Sequence, residues 1–156
     1  MVDSIKRYRR RSFYSVLVVA FVALAIPISY AVAGGGGTVV SPVEKHNDDC
    51  GDSQGKKVIG TDTLKRSGDT LYVTHKVSGA DPGRHYYLYL YDAGTVSCDY
   101  IGYLGNFKVD GSGHGSKSGS RDVSGTTGKF VVCDYNNDTK TYDCGLTVQL
   151  GPDESV

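Results

Sequence analysis

Apolar and polar positions alternate with a period of two over most of the chain beyond residue 70. In Thr70 to Ser78, Leu71, Val73, His75 and Val77 share one face, and Tyr72, Thr74 and Lys76 share the other. That is the signature of a half-buried strand. Gly79-Ala80-Asp81-Pro82-Gly83 reads as a turn, with proline pre-setting the backbone. Arg84 to Asp92 alternates again, placing Tyr86, Leu88 and Leu90 opposite His85, Tyr87, Tyr89 and Tyr91. Tyr100 to Asp110 puts Ile101, Tyr103, Phe107 and Val109 in phase, and Asp110-Gly111-Ser112-Gly113 is a hairpin turn. Gly115 to Val123 has almost no apolar residues, as a weak or edge strand would. Lys129 to Tyr135 then leads into Thr141 to Leu150, where Tyr142, Cys144, Leu146, Val148 and Leu150 alternate with polar residues.

Upstream, Thr38 to Val43 is short, β-prone and interrupted by Pro42, and an acidic loop follows at Asp48-Asp49-Cys50-Gly51-Asp52. No window carries a helical period, and turn signals recur about every 8–12 residues. The pattern predicts an all-β fold, an immunoglobulin-like antiparallel β-sandwich of about seven strands. The expected domain runs over residues 56–152, after a flexible Gly-rich and acidic segment at 34–55.

The chain has 156 residues with 17 basic and 17 acidic side chains. Five of the basic ones (Lys6, Arg7, Arg9, Arg10, Arg11) and one acid, Asp3, precede Gly34. The remainder holds 12 basic against 16 acidic residues, a net −4, which argues against nucleic acid as a partner. The basic cluster, the apolar run Phe13 to Ile26, Pro27 and Ala31-Val32-Ala33 together read as a signal peptide over residues 1–33, cleaved after Ala33. Arg10-Arg11-Ser12-Phe13 also looks like a twin-arginine signal, though the apolarity of residues 16–22 favours secretion in the unfolded state. Left uncleaved, residues 13–33 are long enough to anchor the chain in a membrane, the one membrane contact expected.

Export changes how the four cysteines read, because two disulfides are the default in an oxidising compartment. Cys133 and Cys144 flank a hairpin, and their pairing would oppose Tyr135 to Tyr142 and Val131 to Leu146. Of the three possible connectivities, this one leaves Cys50 with Cys98.

The strand, the Gly79 to Gly83 turn, the Tyr-rich strand and then Leu104-Gly-Asn-Phe-Lys-Val-Asp-Gly-Ser-Gly-His-Gly resemble small secreted immunoglobulin-like surface proteins of bacteria and archaea. They are also similar to repeat domains on prokaryotic surfaces. The resemblance covers residues 60–150 and implies a surface or interaction role, with no catalytic residue carried over.

Candidate chemistry is sparse. Gly111-Ser-Gly-His-Gly-Ser-Lys-Ser lacks P-loop spacing, because Ser116 separates Gly115 from Lys117. Asp134, Asn136 and Asp138 are spaced like the start of a calcium loop, but Thr139 and Gly145 stand where glycine and glutamate belong. A hairpin tip accounts for the same residues without an ion. Asp48, Asp49 and Asp52 form a second weak calcium candidate, and no other cofactor is expected. Asn137-Asp138-Thr139 is a glycosylation sequon. The four histidines are scattered without copper-site spacing; His75 reads as a core-edge residue, His85 and His114 as surface ones. No carboxylate–histidine pairing stands out, so catalysis is not expected.

The stripe His85, Tyr87, Tyr89 and Tyr91 is the most informative constellation. With Leu88 and Leu90 pointing inward, three tyrosines stand in a row outside, offering contact area and hydroxyls at small entropic cost. The expectation is a secreted or surface-attached, non-enzymatic domain that binds a protein or glycan at the cell surface. Two alternatives are a subunit of an extracellular filament or coat, in which residues 38–43 add to a neighbour's sheet edge, and a calcium-binding surface domain. Packing of the tyrosines under a loop, or as core, is the competing account of the stripe.

Overall fold

The computed structural model describes residues 37–45, 56–94 and 98–151. The signal segment, Asp48, Asp49, Asp52 and Cys50 lie outside the described residues, and so does the expected Cys50–Cys98 bridge. Every described element is a strand: β1 Thr38–Glu44, β2 Val58–Ser67, β3 Thr70–Val77, β4 His85–Asp92, β5 Asp99–Lys108, β6 Gly115–Asp122, β7 Lys129–Asn136, β8 Thr141–Gly145 and β9 Val148–Gln149. All pair antiparallel along one path, β5-β4-β7-β8-β1-β2-β3-β6, with β9 added to β7.

The path divides at one thin joint. β1 pairs with β2 along its whole length but meets β8 only at Val43↔Gly145 and Glu44↔Cys144. On one side lies the half β5-β4-β7-β8, on the other β1-β2-β3-β6. The inner surfaces of the halves share a core: Leu64, Leu71 and Val73 pack in one cluster with Leu88, Leu90, Leu104, Phe130 and Val132. Far from the joint, β5 and β6 approach closely without a ladder. A Cβ on Gly119 would stand 2.9 Å from the Leu104 carbonyl oxygen, so only glycine fits this seam.

A transverse polar rank interrupts the core. Ser41, Asp62, His75 and Lys117 are successive cross-strand partners on β1, β2, β3 and β6. Asp134 and Asp143 are partners on β7 and β8. Above the rank sits the cluster just named. Below it lies a second, containing Val43, Ile59, Val77, Tyr86, Phe107 and Val109.

Several expectations are corrected. Nine strands are described where about seven were expected, because β2 gave no apolar alternation: its inward positions include Asp62 and Arg66, both buried. The described sheet includes β1, ahead of the expected domain start at residue 56, with its Val39 and Val43 buried. That segment pairs along its whole length with β2. Val131 does not face Leu146; after Gly145 the chain shifts by one residue, so Phe130 pairs with Val148. The Leu146 N–H turns instead to the Ser41 hydroxyl, 2.9 Å away. The shift flips the facing of the strand, sending Tyr142 and Cys144 outward while Leu146, Val148 and Leu150 stay in the core. Finally, irregularities on β5 between its pairings with Leu88 and Tyr89, and with Leu90 and Tyr91, rotate Tyr103 out of phase with Phe107 and Val109.

Candidate functional site

β4 places Tyr86, Leu88 and Leu90 wholly in the core, so strand alternation carries Tyr87, Tyr89 and Tyr91 to the outer face, where each is half-buried. They do not stand alone. β5 contributes Tyr100 and Tyr103, β7 contributes Tyr135 and β8 contributes Tyr142. Cross-strand register puts Tyr87 beside Tyr135, and Tyr135 beside Tyr142. The rings are mutually tilted, with centroids 6.4 Å apart for Tyr87–Tyr103, 5.6 Å for Tyr89–Tyr103, 6.2 Å for Tyr89–Tyr100, 6.0 Å for Tyr91–Tyr100 and 4.7 Å for Tyr135–Tyr142. Such aromatic pairs each contribute about 0.5–1.5 kcal/mol beyond the area they bury. Four strands at about 4.8 Å spacing make a platform roughly 15 Å across.

Beneath part of this platform lies the Cys133–Cys144 disulfide, which joins directly opposed residues of β7 and β8 as expected. With Val131 it forms a small buried cluster on which Tyr91, Ala93 and Tyr142 pack. Burial, followed by the neighbouring Tyr142, pushes the Tyr91 hydroxyl up to about 12. Tyr89 is raised for the same reasons, burial first and then the surrounding tyrosines. These two phenols are therefore neutral hydrogen-bonding groups at physiological pH. Tyr100 is the most open ring, 59% exposed. His85 sits exposed at the end of the stripe, opposite Lys108.

The outer face of the other half differs in character. Thr63, Thr74 and Ser118 form one cross-strand rank and Thr61, Lys76 and Ser116 the next. The Thr74 and Ser118 hydroxyls lie 3.0 Å apart.

The weak calcium candidates on β7 and the turn after it do not converge. Asp134 is fully buried and accepts a hydrogen bond from His75 Nε2 at 2.8 Å. Asn136 is buried; its carbonyl oxygen accepts from the Asp138 and Thr139 N–H groups, closing the hairpin turn, and its amide donates to the Tyr86 hydroxyl. Asp138 is exposed and pairs with Arg84 at 3.1 Å. Strand alternation and turn capping thus send the three side chains to different places, and among the described residues no group of three His, Cys, Asp or Glu is arranged to hold a metal. Asn137 is exposed at the hairpin tip, open to modification.

Sequence reasoning missed His75. Rather than lying at the core edge, it is fully buried, with Nδ1 2.7 Å from Asp62 Oδ1 and Nε2 2.8 Å from Asp134 Oδ2. Burial opposes the imidazolium, but the Asp62 charge and the hydrogen bonds to both aspartates outweigh it and lift His75 to about 10. Both carboxylates are raised as well, burial outweighing the attraction of His75. The only sequence signal was a histidine in phase with Leu71, Val73 and Val77. Comparison with models of known protein families and with curated protein sequences finds no match.

Proposed function

We propose that this chain is an exported, non-enzymatic binding domain that docks a protein or glycan at the cell surface through its tyrosine face. The reading includes an immunoglobulin-like sandwich, a leader over residues 1–33 and a second bridge between Cys50 and Cys98. One observation carries it: seven tyrosines from four adjacent strands lie on one outer face, while the opposite face offers mainly hydroxyls and lysines, with Tyr72 and Val40 its exposed apolar side chains. Tyrosine has two side-chain torsions to freeze, so a pre-packed array loses little entropy on docking. A core that needed these rings would bury them as completely as it buries Tyr86 and Phe130.

An array of glycans and surface proteins, probed with the oxidised domain lacking residues 1–33, tests the reading. The pair Tyr89→Ser and Tyr100→Ser should weaken the captured ligand at least tenfold while lowering stability by no more than about 2 kcal/mol. Equal binding by the variant, or its outright unfolding, would show the face to be structural.

A further inference from the structure

The Asp62–His75–Asp134 cluster lies apart from the tyrosine face and serves no part of the proposed binding. His75 and Asp62 belong to β3 and β2 of one half, Asp134 to β7 of the other. The two ring nitrogens of one imidazole therefore fasten the halves together through the middle of the core. We propose that Asp62, His75 and Asp134 form a proton-dependent clamp between the two halves of the sheet, closed while the imidazole carries both ring protons and opened when alkali removes one.

The geometry makes acid and alkali unequal. Each ring nitrogen faces a carboxylate oxygen, so both bonds are at full strength only when both nitrogens are donors. Removing one proton sets a bare nitrogen lone pair against a carboxylate oxygen and leaves two uncompensated negative charges in the core. Adding a proton does no such damage. Asp62 Oδ2 and Asp134 Oδ1 are buried and have no hydrogen-bond partner among the described residues. A proton arriving there leaves both bonds to His75 intact and removes a buried charge. Gly145 gives Asp62 Oδ2 its room, since a Cβ there would stand 2.5 Å from that oxygen.

The surrounding groups are few. Lys117 on β6 is the register partner of His75, and its side chain lies over Gly105 of β5. Ser41 on β1 partners Asp62, Asp143 on β8 and Leu88 on β4 partner Asp134, and the Phe107 ring on β5 sits 5.4 Å from the imidazole. The Tyr86 hydroxyl feels Asp134 and Asp143, but burial raises it to about 12, above the window at issue.

The signs agree. With His75 raised to about 10, its stabilisation is complete below its ordinary value of 6.5 and lost as the pH climbs through 10. Because Asp62 and Asp134 are raised from 3.8, the folded state also gains stability as the pH falls through their raised values, a gain complete below 3.8. Asp92, Asp110 and Asp122 are held below the ordinary carboxylate range, and they act in the opposite sense only in stronger acid.

NMR titration of the histidine rings in the intact oxidised protein, with denaturant unfolding at matched pH, decides the matter. The His75 ring should read as doubly protonated from pH 5 to 8, with both ring N–H protons slow to exchange. The folding equilibrium constant should drop about 50-fold between pH 8 and 10, since one bound proton gives tenfold per unit until the ring's own midpoint is reached. His75→Gln should flatten that drop. Should His75→Gln not fold, Asp134→Asn, which keeps the shape and removes one carboxylate, should move the ring's titration to lower pH. A ring that titrates near 6.5, a single neutral tautomer at pH 7, or a drop of less than about threefold would overturn the clamp, as would an unshifted ring midpoint in Asp134→Asn.

Discussion

Single side chains in this domain act through partners far away in sequence. Asn136 closes the β7–β8 turn with its carbonyl oxygen while its amide holds the Tyr86 hydroxyl and reaches Asp81 Oδ2. Replacing it with alanine removes one of the two donors to the Tyr86 hydroxyl, which keeps the Asp81 N–H, and leaves two turn N–H groups without their acceptor. The expected loss is about 2 kcal/mol, read as a lower denaturant midpoint with an unchanged slope. The inward trio Tyr86, Leu88 and Leu90 was legible in the sequence because β4 is regular. Tyr103 was not, because an irregularity on β5 reverses the facing that alternation assigns. His75 was legible as an inward residue only. Its partners lie 13 and 59 positions away, and no local pattern brings them together.

Among the elements, legibility followed the apolar content of the buried face. β3, β4 and β7 declared themselves, whereas β2 hid behind Asp62 and Arg66. Arg66 is buried yet satisfied: its guanidinium donates to the Gly68 and Leu150 carbonyls and lies over the Phe130 ring. The polar rank has a further effect on strand pairing. A two-residue slip of β3 along β2 would keep every face correct but set Asp62 against Val73 or Val77, burying a lone carboxylate. β6, read as an edge strand, is shielded on its free side by β5. Gly119→Val should wedge this seam apart against the Leu104 carbonyl, costing about 1–3 kcal/mol. Hydrogen exchange should then quicken in β5 and β6 before the β1–β2 pair.

At the scale of the whole molecule, the two halves are joined by a two-pair contact of β1 with β8, by glycine packing at the opposite seam and by the ionic cluster between them. The all-β class and antiparallel pairing were legible, since period-two alternation and turn chemistry are local. The path order was not, because β1 enters the middle of the sheet from a segment whose proline and glycine neighbours read as a tether. Opening the Cys133–Cys144 bridge by paired substitution to alanine should cost about 3 kcal/mol, seen as a lower melting temperature. This bridge lies beneath Tyr91 and Tyr142, so its redox state and the order of those two rings are linked. A freshly made chain whose thiols are still reduced would carry its rings on an unfastened base.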